Sequence, residues 1–260
     1  MSKKRREIPV FDHPIIETHC HLDYLKDRPL SDTLKQSQRV NIEKVITIAV
    51  SPENLAAVRE LAGSADWGFG TQGIHPHEAE TYTDEVEAEI RQHATDDKIV
   101  AVGEIGLDYF YDNADRAVQR DVFRRQLQIA CDSDRPVVIH SRDADDDTIA
   151  ILKEFEHSLE RRGVIHSFTS GPGLAQYAID QGWCLGFNGI TTFNKAENVR
   201  DIVRMTPIEQ ILLETDAPFL TPVPYRGREN APFYLPFVAE KIAEVKELPL
   251  DEVIGKTYHN

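Results

Sequence analysis

A single (β/α)8 barrel is the fold class this sequence predicts, and three observations predict it. Eight short apolar runs alternate with helical patterns along the chain. No linker, low-complexity segment or shift in composition divides it. Its 260 residues come close to the roughly 250 of a typical barrel of this class. A doubly wound open sheet is the alternative that the same elements could build.

The runs, in order, are Ile15–Cys20, Lys44–Val50, Gly68–Ile74, Ile99–Ile105, Pro136–His140, Val164–Phe168, Trp183–Gly189 and Gln210–Thr215. Ile99-Val100-Ala101-Val102 and Val137-Val138-Ile139 are apolar throughout, as strands of a parallel sheet buried on both faces must be. Between the runs lie helices. One is expected to start with Ser51 as N-cap and Pro52 in its first turn, stopping near Gly63. Val118, Val122, Leu127, Ile129 and Ala130 recur at helical spacing in the longest, and Leu235, Val238, Ile242 and Val245 do so after the last strand. Residues 1–12, with Lys3-Lys4-Arg5-Arg6, are expected to be a basic disordered tail, and 13–260 the barrel.

Composition narrows the function. Apolar residues make up 41%, enough for a buried core. No apolar run approaches the roughly 18–20 residues that cross a bilayer, and no secretory signal follows the basic start. Cys20, Cys131 and Cys184 are far apart and form no CxxC, so neither a disulfide framework nor a cysteine zinc site is implied. A reducing cytoplasm fits, with no membrane and no stable protein partner, hence a monomer. A formal net charge of −15 argues against binding nucleic acid through a broad basic face, but leaves room for a metal-armed pocket gripping one or two phosphates.

The ends of the apolar runs carry polar side chains. The first closes on His19 and His21, whose side chains share one side of a strand. His75 and His77 close the third. Glu104 lies in the fourth with Asp108 just beyond, and His140 ends the fifth with Arg142 next. His166, Asn188 and Asp216 belong to the sixth, seventh and eighth. In a barrel these ends form one rim, where catalytic residues collect. His19, His21, Glu104, His140, His166 and Asp216 are more ligands than one tetrahedral zinc needs. They suit two divalent ions about 3.5–4 Å apart with a shared carboxylate. Glu104 sits in the apolar Val102-Gly103-Glu104-Ile105-Gly106, where a cation makes a carboxylate tolerable and Gly103 and Gly106 allow close approach. The competing reading pairs Glu104 with a buried Arg or Lys.

Weaker signals surround these. His75 or His77 could bond a substrate phosphate, or be ordinary loop histidines. Arg142 could clamp an anion, or pair with Asp143, Asp145 or Asp146. The loop from Ser167 to Gly173 could cradle a phosphate at a helix start, or be a plain connection. Glu214, two residues before Asp216, could orient a ligand. Arg226 puts a cation near the mouth.

These residues fall into motifs. Thr18-His19-Cys20-His21-Leu22-Asp23, Gly73-Ile74-His75-Pro76-His77, Val102-Gly103-Glu104-Ile105-Gly106-Leu107-Asp108-Tyr109, Gln119-Arg120-Asp121-Val122-Phe123, Ile139-His140-Ser141-Arg142-Asp143-Ala144, Leu213-Glu214-Thr215-Asp216-Ala217-Pro218 and Leu220-Thr221-Pro222-Val223-Pro224-Tyr225-Arg226-Gly227 occur in order. From about Ile16 onward the chain resembles the TatD family of metal-dependent hydrolases, often described as deoxyribonucleases and placed in the amidohydrolase-like superfamily. The resemblance implies a (β/α)8 barrel with one or two divalent metals. His19 and His21 would hold the first with Asp216, Glu104 would bridge, and His140 and His166 would hold the second. It also implies cleavage of DNA from its 3′ end. Asp216 would act as general base, and His75 or His77, Arg142 and Arg226 would orient the phosphate. The metal could be Mg, Mn or Zn.

Two small departures stand out. Ser167-Phe168-Thr169-Ser170-Gly171 replaces a usual Cys-Phe-Ser-Gly, and Ala217 follows Asp216 where Ser is usual. The family pattern also runs past Asn260 through a final short helix, so the last barrel helices are expected to be less well covered. The same metal set would serve an amidase, lactonase or deaminase. A closed coordination shell would instead make a non-catalytic metal-binding interaction protein.

Overall fold

The computed structural model of the protein describes residues 5–260. The strands are β1 (Ile15–Cys20), β2 (Ile42–Thr47), β3 (Gly68–Gln72), β4 (Ile99–Asp108), β5 (Val137–Arg142), β6 (Gly163–Ile165), β7 (Cys184–Phe187) and β8 (Ile211–Leu213). They form one sheet in chain order. Beyond β8 the chain returns to β1. Asp216 N donates to His19 O at 2.9 Å, His21 N to Ala217 O at 2.7 Å, and Cys20 bridges Ala217 in parallel. With helices between the strands this is the expected (β/α)8 barrel. By packing, the chain divides into two units, Met1–Val45 with Gly186–Asn260, and Ile46–Leu185.

The first unit carries α1 (Leu30–Arg39), α7 (Glu197–Met205), α8 (Leu235–Lys246) and α9 (Leu250–His259). Leu235, Val238 and Ile242 form the buried stripe of α8, as their spacing requires. Val253 and Ile254 of α9 are fully buried, and α9 packs on β1 and β8. Of the expected basic tail, residues 1–4 lie outside the described residues. Further on, Arg6 pairs with Glu240 and lies over the Phe237 ring, while the Tyr225 hydroxyl donates to Arg6 O at 2.9 Å.

The second unit carries α2 (Leu55–Gly63), α3 (Asp84–His93), α4 (Arg116–Ser133), α5 (Asp145–Glu154) and α6 (Pro172–Asp180). Helix α2 starts one turn later than the Ser51 cap predicts. The Asn54 side chain reaches back, its Oδ1 accepting from Val50 N at 3.0 Å and Ser51 N at 3.1 Å, and holds 51–54 as a turn. Strands β3 through β7 pair in parallel. The β4–β5 register skips between Gly103 and Ile105. Such a bulge re-aims one side chain, here that of Glu104. Gly103 and Gly106 do permit close approach, but to β5. A Cβ on Gly106 would meet His140 O at 2.0 Å, and one on Gly103 the Val138 backbone at 2.8 Å.

Helix α4 covers β4 with Val122, Phe123, Leu127, Ile129 and Ala130, all buried. The same face carries two buried glutamines. Gln119 Oε1 accepts from Asp108 N at 2.8 Å and its Nε2 donates to Asp108 O at 3.1 Å. Gln126 Oε1 accepts from Ile74 N at 2.8 Å and its Nε2 donates to Ile74 O at 3.0 Å. Both clamp backbone that leads directly to site residues. Among the described residues no helix is long and apolar enough to cross a membrane.

Candidate metal centre

Each unit gathers its own group of ligand-type side chains. In the first, β1 delivers His19 and the turn after it delivers His21, both buried. Asp216 follows β8 with a left-handed φ of 57°, a conformation aspartate tolerates better than most. Its Oδ1 lies 3.7 Å from His19 Nε2 and 3.5 Å from His21 Nε2. These spans are long for hydrogen bonds but suit ligands of one cation, each of which would bond at roughly 2.0–2.2 Å.

Beneath them Glu17, fully buried, accepts His19 N at 3.1 Å and Thr215 N at 2.9 Å on Oε1. One carboxyl group thus ties β1 to the segment bearing Asp216. Burial pushes the Glu17 pKa up to about 8, against the hydrogen bonds from Thr215 and His19. Glu214 is likewise buried and accepts from Asn188 Nδ2 at 3.2 Å, so the expected orienting carboxylate is anchored from β7. Arg226 is exposed and lies over the Phe193 ring at 3.8 Å.

In the second unit three imidazoles converge on one oxygen. Glu104 Oε1 is 2.7 Å from His166 Nε2, 3.1 Å from His140 Nδ1 and 3.4 Å from His75 Nε2. Burial would raise the Glu104 pKa. The imidazoles of His166, His75 and His140 outweigh it and hold the carboxyl well below its ordinary range. The partners of Glu104 in this unit are therefore imidazoles, the neighbours expected of a metal ligand rather than of a buried Arg or Lys pair.

Asp108 organises these rings. In the sequence it stands out only as a charge just beyond Glu104, an even number of residues further along the same strand. Its Oδ2 is 2.9 Å from His140 Nε2 and 3.0 Å from His77 Nε2. Its Oδ1 accepts from Phe110 N at 3.0 Å and Tyr111 N at 2.9 Å. Burial alone would raise its pKa, but the bonds from His140, His77 and Tyr111 depress it strongly. An ionised Asp108 keeps a proton on His140 Nε2, so Nδ1 is the nitrogen turned to Glu104. Burial lowers the His140 pKa and the bonds to Asp108 and Glu104 raise it further than burial lowers it. In the metal-free protein His140 therefore tends toward the imidazolium, and a cation would take the place of the Nδ1 proton.

His75, His140 and Glu104 each offer a ligand atom, all within 4.8 Å of one another. Distance alone would thus enrol His75 as a ligand. Its tautomer argues otherwise. His75 Nδ1 accepts from His77 N at 3.1 Å. Burial, with His140 and His77 nearby, lowers its pKa to about 4 despite Glu104, so the ring is neutral and its proton sits on Nε2. His75 is a donor toward Glu104. His77 is turned to Asp108 and stands edge-on to Tyr111, ring centres 5.3 Å apart.

Two sequence expectations meet competition. Arg142 lies over the Phe110 and Tyr111 rings, at 4.0 and 4.9 Å, rather than on an aspartate. At the start of α6, Gly171 N donates to Asp145 Oδ2 at 2.9 Å, so a protein carboxylate occupies a place a phosphate would need. The donor sets themselves, imidazole and carboxylate with no thiolate, fit a divalent cation such as Zn, Mn or Mg.

Comparison with known proteins accords with these donors. The family model described as TatD related DNase matches residues 16–260. The metal-dependent hydrolase YabD of Bacillus subtilis (strain 168) is 34% identical over 247 residues, covering 95% of this chain and 96% of its own. YcfH of Escherichia coli (strain K12), also named a metal-dependent hydrolase, is 35% identical over 251 residues, covering 95% and 93%. The crystal structure of YjjV, a TatD homologue from Escherichia coli K12, superposes with a TM-score of 0.88 at 31% identity, covering 94% and 95%.

Proposed function

The chain belongs to the TatD family of metal-dependent hydrolases, and from that premise we propose that it is a deoxyribonuclease, cleaving phosphodiester bonds at the 3′ end of DNA. The observation that carries the reading is Glu104, a buried carboxylate gripped by the imidazoles of His166, His140 and His75. His19, His21 and Asp216 would hold one divalent ion, and Glu104, His140 and His166 another. Two divalent ions, when bound, supply Lewis acidity for a phosphoryl oxygen and a water of lowered pKa.

The chain's own residues do the rest. Asp216, the least buried carboxylate of the ligand groups at 13% exposed, accepts the proton of the attacking water as general base. His75 directs its Nε2 proton to Glu104 and, neutral at pH 7, holds that carboxylate without adding a charge of its own. His77 and Asp108 keep the rings from turning. Arg142, beside the Phe110 and Tyr111 rings, and Arg226 orient the flanking phosphates. Cys20, Cys131 and Cys184 remain thiols outside any disulfide among the described residues, which suits a cytoplasmic monomer.

The test is metal analysis combined with turnover on 3′-labelled single strands and on a panel of small phosphodiesters, amides and lactones. Phosphodiester cleavage that vanishes in Glu104→Ala, with the circular dichroism of the wild type retained, is the expected result. Full activity of that variant after rigorous metal removal, or turnover confined to amides or lactones, sinks the proposal.

A further inference from the structure

Phe110 and Tyr111, directly after β4, are each 55% exposed. Single exposed aromatics are ordinary on a protein surface. Two adjacent ones, held rigid beside a site, are not. Their rings meet edge to face with centres 4.9 Å apart. Both backbone N–H groups are fixed by Asp108 Oδ1, the carboxylate whose other oxygen holds His77 and His140. The Arg142 guanidinium carbon lies 4.0 Å from the Phe110 ring centre and 4.9 Å from that of Tyr111. From the other side Tyr109 N donates to Arg142 O at 2.9 Å. The rings are thus ordered without being buried, and a single carboxylate sets their distance from the site imidazoles.

Resting on the nuclease reading above, we propose that Phe110, Tyr111 and Arg142 form a step on which one base of a single-stranded nucleic acid stacks, next to the phosphodiester to be cut. Three features favour that occupant. An exposed aromatic ring beside an arginine offers a π face with a cation close by, which suits a base and the phosphate attached to it. Tyr111 leans on His77, so a base stacked there is continuous with the hydrolytic site. A cavity of about 650 Å3 opens beside the step, lined by Phe110 and Arg142 but also by Asp143, Asp145, Asp146 and Asp147. That acidic wall opposes a long phosphate track and leaves room for one unstacked base. A base inside a duplex has both faces covered by its stacked neighbours, so the step favours single strands and frayed ends over intact duplex.

The test compares wild type, Phe110→Ala, Tyr111→Ala, the double variant and the ring-preserving Tyr111→Phe. Two readouts are used. One is the ratio of kcat/KM on a short single-stranded oligonucleotide to that on a small chromogenic phosphodiester too short to reach the step. The other, which needs no turnover, is quenching of 2-aminopurine in an oligonucleotide titrated with metal-free protein. Loss of one stacking partner should lower the ratio about 5- to 150-fold and weaken binding by the same factor, most in the double variant, while Tyr111→Phe keeps both. An unchanged ratio and undiminished quenching in the double variant overturn the step and leave the rings to a protein partner. Equal losses on both substrates overturn it too, by giving the rings a structural role. If the wild type cleaves no phosphodiester, the nuclease reading falls, and the quenching titration still decides the step.

Discussion

Asp108→Asn probes how the imidazoles are aimed. The native carboxylate accepts three hydrogen bonds, from His140 Nε2 at 2.9 Å on one oxygen and from Phe110 N and Tyr111 N on the other, and its Oδ2 also lies 3.0 Å from His77 Nε2. An amide has a single acceptor oxygen. If its NH2 faces the imidazoles, donors oppose donors, and His140 must move its proton to Nδ1, the atom turned to Glu104. If its oxygen faces the imidazoles, the NH2 meets two backbone N–H groups instead. Either way bonds to a charged group are lost, each worth about 1.5–3 kcal/mol. Loss of such a carboxylate behind a ligating histidine typically weakens metal affinity 10- to 100-fold, or about 1.4–2.7 kcal/mol. Competition against a chelating dye would measure it, with circular dichroism confirming the fold. A folded Asp108→Asn protein that binds metal within twofold of wild type would refute the assignment of Nδ1 as the metal-facing nitrogen.

Gly106→Ala should destabilise the barrel by about 2–5 kcal/mol, since φ is +137° and the new Cβ would lie 2.0 Å from His140 O; thermal unfolding that matches wild type would contradict this. In metal-stripped protein His75, with a folded pKa of about 4 against 6.5, binds fewer protons folded than unfolded across that window. Stability therefore falls as pH drops from 6.5 to 4, by up to about 3 kcal/mol. His140, with its pKa raised, contributes stability that is fully present below 6.5 and is lost only as pH rises through its folded value, so the two windows are separate. Denaturant titrations of wild type and His75→Gln should diverge only on the acid side. With a net charge of −15, binding of single strands should depend shallowly on salt. A slope of about −0.7 to −1.4 corresponds to one or two phosphates, and a steeper one would expose a basic surface.

Most of the fold was legible because strands buried on both faces read as unbroken apolar runs. The runs misjudged strand ends where a ligand leaves the sheet. Strand β6 stops at Ile165 and β8 at Leu213, so His166 and Asp216 stand in the turns beyond. Glu104 was conspicuous as a charge inside Val102–Ile105. Asp108 was not, because its weight comes from partners 31 and 32 residues away, His77 and His140. The role of His75 could not be read from residue type, since a backbone N–H from His77 sets its tautomer. Nor could that of Arg142, whose neighbours are rings from the preceding strand's loop.

The two glutamines of α4 connect these levels. Gln119 and Gln126 are seven residues apart, two turns of helix, and so share the face that covers β4. Each side-chain amide has a donor and an acceptor, and each pairs with both backbone groups of one residue, as a neighbouring strand would. Gln126 does this at Ile74, where β3 has already ended at Gln72; Gln119 does it at Asp108, the last residue of β4. Leucine there would leave a buried N–H and C=O unpaired, and glutamate could satisfy only the N–H. The positions of His75 and of the Asp108 carboxylate, and hence which nitrogen of His140 carries a proton, are therefore fixed from the outer layer of the barrel. A helix that touches no ligand sets the protonation pattern of the site.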